Sequence, residues 1–335
     1  MRTFLIGALA LTLFAGCDSL GAADDDGRVP VVLAALEVDQ PLPRIRLVRA
    51  TPLDEAANPA EAAITDATLF VYLLGETGEV EGEHVFGHVS EGIYATTSAD
   101  PVLGGRRYRL RAELADGSTL SAETVTPTAF SIAEDPQAVV PYQSGEGPEV
   151  RITGSEIPGR QSVYLIASQA LAPDDFEVRM RADSTFGYER LFTPGRFGPT
   201  PFRQAILNNT DCDPVGSGFD CSISPADLVS GNSPLLNEES YVRNADGTDT
   251  VTIPWLAFPF YGPTQFEIIA VDDALKDLIE QQVTQGGGTT LSPGEIPNVI
   301  ANVQGGQGYF GAFARVRTQV CTPEPGGPSS PDSVP

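Results

Sequence analysis

The stretch Arg107-Tyr108-Arg109-Leu110-Arg111-Ala112-Glu113-Leu114, followed at once by Ala115-Asp116-Gly117, decides the fold class. Polar and apolar side chains alternate strictly through it. Successive side chains of a strand point to opposite faces, so this pattern buries Tyr108, Leu110 and Ala112 and leaves the arginines in water. Asp-Gly beside such an alternation is a strong hairpin signal. Upstream, Ala67–Leu74 (ATLFVYLL) reads as a buried strand, with Gly92-Ile93-Tyr94 and Gly104-Gly105 as turns between the two. Val29–Val38 and Arg44–Val48 are further short β-like segments. About seven short strands in roughly 100 residues is the pattern of an immunoglobulin-like sandwich. The Ala-, Pro- and Glu-rich stretch 50–66 reads as a long surface loop within it.

The chain is therefore expected to be mainly β. Its plan would be an immunoglobulin-like β-sandwich over residues 28–127, then a second β-rich domain with one short helix over 128–321. Pro127 to Pro136 marks the junction. Strands are expected at Val150–Thr153, Val163–Ser168, Phe176–Ala182, Phe266–Val271 and Tyr309–Val320. Residues 183–250 are rich in Gly, Asn, Pro and Ser and read as irregular. Val251–Tyr261 (VTIPWLAFPFY) contains Pro254 and Pro259. Proline cannot donate to a ladder, so this segment is an edge strand or an aromatic loop. The helix opens at Asp272 or Asp273, whose carboxylate can cap free amides, and Ala274, Leu275, Leu278 and Ile279 form its apolar face. The Pro/Gly/Ser-rich tail, 322–335, is expected to be disordered.

The N-terminus carries an export signal. Arg2 precedes the uncharged apolar run Phe4–Phe14, and small residues Ala15 and Gly16 lead to Cys17. The run is too short to span a hydrocarbon core of roughly 30 Å as a helix, and it fits a signal-peptide core. Residues 1–16 would be removed and Cys17 would take the lipid; an ordinary secretory signal with a chance cysteine is the competing reading. The segment resembles a bacterial lipobox, with Phe14 where Leu is more usual. Residues 17–27 form an acidic tether, whose Asp24-Asp25-Asp26 run is either a solvated linker or part of a surface-sorting signal.

A net charge of −25 argues against binding nucleic acid or an anionic membrane surface, which need basic patches. Lys276 is the only lysine, a bias better explained by a salt-adapted or GC-rich host than by a ligand. Cys212 and Cys221 bracket a short polar loop and are the better-placed disulfide pair, with Cys321 able to compete for either. Such a loop would gain roughly 2–3 kcal/mol from the bond.

No catalytic set emerges. His84 and His88 lie four apart, where they share a strand face, but two exposed histidines is the simpler reading than a metal site. Asn244–Asp249 spaces oxygen ligands as calcium loops do, yet lacks the late bidentate Glu, and Asp246-Gly247 also makes a hairpin turn. No Gly-x-Ser-x-Gly elbow or phosphate-binding loop is present. The chain is read as a non-enzyme without cofactor or metal. Trp255, Phe258, Phe260 and Tyr261 could make a ligand-binding aromatic patch, for which core packing is the plainer alternative.

Val31–Glu37, Arg44–Arg49, Gly92-Ile93-Tyr94, Gly104–Tyr108, Asp116-Gly117 and the closing Asn302–Gly311 segment together resemble a lipoprotein family of Bacteroidota-type bacteria, domain of unknown function 4249. The resemblance spans nearly the whole mature chain. It implies a lipid-anchored outer-membrane protein, periplasmic or surface-exposed, acting as an accessory or binding component beside a TonB-dependent transporter. It offers no catalytic residues. A glycan-binding or adhesion lipoprotein is the second expectation, carried by the aromatic segment 255–261.

Overall fold

The computed structural model describes residues 28–51, 58–141, 147–171, 230–257, 262–286 and 302–323. The protein is mainly β. Its first strands are β1 (Pro30–Glu37), β2 (Ile45–Arg49), β3 (Thr68–Leu74), β4 (Val80–Ser90), β5 (Ile93–Ala95), β6 (Arg107–Glu113) and β7 (Thr119–Val125). Next come β8 (Ile132–Glu134), β9 (Glu149–Thr153), β10 (Glu156–Ile157), β11 (Arg160–Gln161) and β12 (Val163–Ala170). The remaining strands are β13 (Ser230–Asn232), β14 (Val242–Arg243), β15 (Thr248–Thr252), β16 (Gly262–Val271), β17 (Val303–Gln304) and β18 (Gln307–Thr322). Helix α1 spans Pro59–Ala62 and helix α2 spans Asp273–Gly286.

The deciding hairpin forms as its alternation requires. β6 buries Tyr108, Leu110 and Ala112 and pairs with β7 in register Arg107↔Val125 to Glu113↔Thr119. Gly117 turns the chain at φ 87°, and Asp116 Oδ1 accepts the Ser118 amide at 2.7 Å. The first core gathers Val32, Leu36, Ile45, Leu47, Leu69, Val71, Tyr94, Leu110 and Leu120, all essentially inaccessible to solvent. Two tyrosines staple it. The Tyr108 hydroxyl accepts the Leu103 amide at 2.9 Å; that of Tyr94 accepts the Ala67 amide and donates to the Ile64 carbonyl, each at 3.0 Å.

The strands run in one twelve-stranded order, β13-β12-β16-β18-β1-β2-β5-β4-β3-β6-β7-β17. β17 pairs with β7 and then turns through Gly305 and Gly306 into β18, which runs parallel to β1. The sheet thus wraps around the first core. Phe310 and Ala312 of β18 complete that core, although they lie far beyond residue 127 in the chain. Space at this seam is tight. Gly308 sits at φ 105° opposite Val32, and a Cβ there would lie 1.9 Å from the Val32 carbonyl oxygen.

β18 then continues past the first core. Its Ala314 and Val320 join a second core with Val150, Ile152, Tyr164, Ile166, Val251, Phe266 and Ile268. That core lies between β12, β16 and β18 and a four-stranded sheet ordered β14-β15-β9-β8.

Two sequence expectations change here. The 50–66 stretch is not wholly loop: Asn58 caps α1, Pro59 opens it, and Ile64 beyond it is buried in the first core. The segment from Val251 divides into the end of β15 and a 3-10 turn at Trp255–Ala257. The expected signal peptide, acidic tether, Phe176–Ala182 strand and most of the C-terminal tail lie outside the described residues.

Candidate functional site

A cleft of about 1110 Å³ opens where the two cores meet. Its walls are the β3–β4 turn from Leu74 to Glu81, the head of β6 at Arg106 and Arg107, and the end of β7 from Glu123 to Val125. The β10–β11 turn at Ile157 and Pro158, the head of α2 and Asn302 complete them. A smaller cleft of about 470 Å³ adjoins it, sharing Gly105, Ile157 and Pro158.

Asp272 forms the cleft's buried corner. It follows β16 directly, and its amide donates to the Ala312 carbonyl of β18 at 2.9 Å. Its Oδ1 accepts the Leu275 amide at 2.8 Å, which makes it the cap of α2. Its Oδ2 accepts the Thr124 hydroxyl of β7, tying the helix to the first core. The residue is 2 % exposed, and burial pushes its carboxyl up to about 6, against the lowering effect of these hydrogen bonds. Leu275 packs so closely over Gly311 that a Cβ at Gly311 would lie 2.7 Å from its Cγ.

Several charges in and beside the walls are paired. Arg106 pairs with Glu81, Arg160 with Asp273, and Arg109 with Glu123 at 2.7 Å. Lys276 reaches Asp277 at 3.2 Å and Glu280 at 3.3 Å. Asn302 staples the rear wall: its Nδ2 donates to the Glu123 and Phe310 carbonyls at 3.1 and 2.7 Å, and its Oδ1 accepts the Phe310 amide at 3.0 Å.

Of the residues singled out in the sequence, Trp255 is half-buried and packs against the second core. Cys17, Cys212, Cys221, Phe258, Phe260 and Tyr261 lie outside the described residues. Cys321 is a buried free thiol on β18, and no disulfide occurs among the described residues. The histidines form no metal site there: His88 packs edge-on against Tyr94 with ring centroids 5.4 Å apart, and His84 Nδ1 lies 4.0 Å from Asp100 Oδ2. Ser98 donates to that same carboxylate at 2.8 Å rather than to the imidazole.

The Asn244–Asp249 loop is a hairpin turn. Asp246 Oδ1 accepts the Thr248 amide and hydroxyl at 3.1 and 2.7 Å. Asp249 points inward, fully buried, to Arg243 Nε at 2.6 Å and the Tyr164 hydroxyl at 3.1 Å. A calcium loop would need that carboxylate at the turn.

A second surface feature lies on the outer face of the β4-β3-β6-β7 sheet. Phe70 and Tyr72 stand two apart on β3 with rings 5.8 Å apart and 16° from parallel. Phe70 is opposite Val85, which is 56 % exposed, and the ion pairs Arg109–Glu123 and Arg111–Glu113 flank them. Sequence reasoning missed both features. ATLFVYLL reads as buried throughout, and the cleft joins segments as far apart in the chain as Leu74 and Asn302.

Two packed β cores, one closed as an immunoglobulin-like sandwich and sharing a long strand with the other, define a multi-core all-β protein with a cleft at the junction. The chain belongs to the family described as domain of unknown function DUF4249, whose model matches residues 23–319. No curated protein matches the sequence. Among solved structures, elastase-activated Escherichia coli alpha-2-macroglobulin is similar at 11 % identity and TM-score 0.23, covering 89 % of this chain and 24 % of that one. Methylamine-reacted Salmonella alpha-2-macroglobulin matches at 10 % identity and TM-score 0.22, covering 94 % and 16 %. A putative membrane anchored protein from Corynebacterium diphtheriae matches at 15 % identity and TM-score 0.19, covering 73 % and 54 %. The chain spans about a quarter or less of these macroglobulins, and likeness at such TM-scores carries no argument.

Proposed function

We propose that this is a noncatalytic, lipid-anchored protein of the cell envelope, held at the outer membrane through Cys17. It serves as an accessory or binding component beside a TonB-dependent transporter. The observation that carries the anchor is the run Phe4–Phe14 followed by Ala15-Gly16-Cys17. The acidic stretch behind it, residues 17–27, has the composition of a solvated tether. A processed lipoprotein carries more than one acyl chain, and each buried methylene contributes about 0.8 kcal/mol, enough for stable attachment. The transporter partner rests on the family resemblance. A binding role is supported by the cleft, in which Glu81 and Asp273 pair with arginines and Asp272 caps α2. Affinity purification from native membranes in mild detergent should co-isolate a TonB-dependent transporter. Repeated recovery without one overturns the partner assignment.

A glycan-binding role is the second reading, now favoured by Phe70 and Tyr72 rather than by Trp255. Their near-parallel rings on an open sheet face can stack on the C–H faces of sugar rings, with flanking Arg–Glu pairs to meet hydroxyls. Glycan-array binding lost on Phe70→Ala and Tyr72→Ala would support it; an array silent for the wild type removes it.

A further inference from the structure

We propose that the outer face of β1, β2 and β5 is the side of the protein that lies against the membrane, with Arg44 and Arg46 contacting the phosphates of anionic lipid headgroups. This rests on the reading of Cys17 as the lipidated residue and goes beyond it by fixing which face meets the bilayer. Alternation along β2 buries Ile45 and Leu47 in the first core and turns Arg46 outward, with Arg44, just ahead of the strand, on the same side; both arginines are exposed. Neither makes an ion pair among the described residues. Arginines on other strands are engaged: Arg109 with Glu123, Arg111 with Glu113, Arg151 with Asp246, and Arg315 with Glu37 and Glu267. Arg107 at the head of β6 is also unpaired among the described residues, but it shares the cleft wall with Glu76, Glu79 and Glu123.

The chain carries a net charge of −25, yet residues 28–50 hold Arg28, Arg44, Arg46 and Arg49 against Glu37 and Asp39. Glu37 is matched by Arg315 at 2.6 and 3.0 Å, which leaves Asp39 and, at the β4–β5 turn, Glu91 as the exposed acids beside this face. Arg46 stands between Leu33 of β1 and Ile93 of β5, its partners across the two ladders, and Val31 pairs with Val48 next to it. These half-buried apolar side chains offer the arginine stem a bed, while the guanidinium can meet a phosphate with two parallel donors. Repulsion between the remaining acids and an anionic surface is screened beyond about 8 Å at physiological ionic strength. From Cys17 to Arg28 the chain reaches at most roughly 40 Å, and β1 begins at Pro30, so the anchor keeps this part of the sheet close to the bilayer. At the effective concentration such a tether imposes, a few weak contacts suffice to choose the face.

The test is arginine footprinting of the protein isolated from its native envelope and added to preformed vesicles, of phosphatidylcholine alone or with about a third phosphatidylglycerol. Each sample is treated with p-hydroxyphenylglyoxal, and modification of every arginine is followed by mass spectrometry of its peptide. On the anionic vesicles Arg44 and Arg46 should react on the order of fivefold more slowly than on phosphatidylcholine, and high salt should restore their rates. Arg107 should react alike on both. Unchanged rates at Arg44 and Arg46 in protein that floats with the vesicles would overturn the proposal and leave the anchor standing. Equal slowing of Arg107 would mean attraction without a preferred face and would overturn it too. Protein that floats with neither vesicle would refute the anchor reading, and the proposal with it.

Discussion

Replacing Asp272 by Asn is expected to stabilise the protein at neutral pH and to remove a pH dependence of defined sign. Burial raises the folded-state carboxyl from 3.8 to about 6, a difference that corresponds to roughly 3 kcal/mol. Because the folded value lies above the unfolded one, the folded state binds the extra proton between about pH 4 and 6. Asp272 therefore opposes folding in full above pH 6, and the cost fades as the pH falls through that window. Asn keeps the amide oxygen that accepts the Leu275 N–H at the helix cap, and the Thr124 hydroxyl can turn to accept from its NH2 group. Urea unfolding at pH 7.5 should thus find Asp272→Asn more stable than wild type by up to about 3 kcal/mol, and the advantage should shrink towards zero at pH 4. Salt-bridged carboxylates elsewhere tilt both curves alike, so the difference between the two proteins isolates this one group. A difference that stays constant with pH, or grows as the pH falls, would refute the reasoning.

Other perturbations test the packing. Asp249→Ala leaves the Arg243 guanidinium and the Tyr164 hydroxyl without their buried acceptor and should cost about 3–5 kcal/mol in urea unfolding, whereas a surface-like effect below about 1 kcal/mol would contradict the inward geometry. Millimolar calcium should leave the thermal midpoint unmoved, because the Asn244–Asp249 turn is held by its own hydrogen bonds; a rise would reinstate the calcium reading. Gly308→Ala places a methyl against the Val32 carbonyl in a left-handed backbone and should abolish the cooperative fold by circular dichroism; a native-like spectrum would contradict the close β1–β18 approach.

Much of the strand content was legible because burial on one face writes a period of two into the residues. The β6–β7 hairpin, β1, β3, β16 and the capped start of α2 all carry such local signals. β4 does not, because its Val80, Val85 and Val89 face solvent and the apolar period no longer reports the buried side. The parallel pairing of β1 with β18 joins residues about 276 apart, and no local pattern records a register between strands so distant. Asp272 was readable as a helix cap. Its tie to the first core was not, since Thr124 reaches it only through that long-range closure. The aromatic pair Phe70 and Tyr72 was hidden for another reason: in ATLFVYLL both faces are apolar, so alternation could not show which face meets water.

The central claim, that the chain is held at a membrane by lipid on Cys17, is tested most directly by mass spectrometry of the N-terminal peptide of the protein isolated from its native envelope. The account predicts a mature chain that begins at Cys17, lacks residues 1–16 and carries a diacylglyceryl group on the thiol. A chain beginning elsewhere, or an unmodified thiol at Cys17, would contradict it.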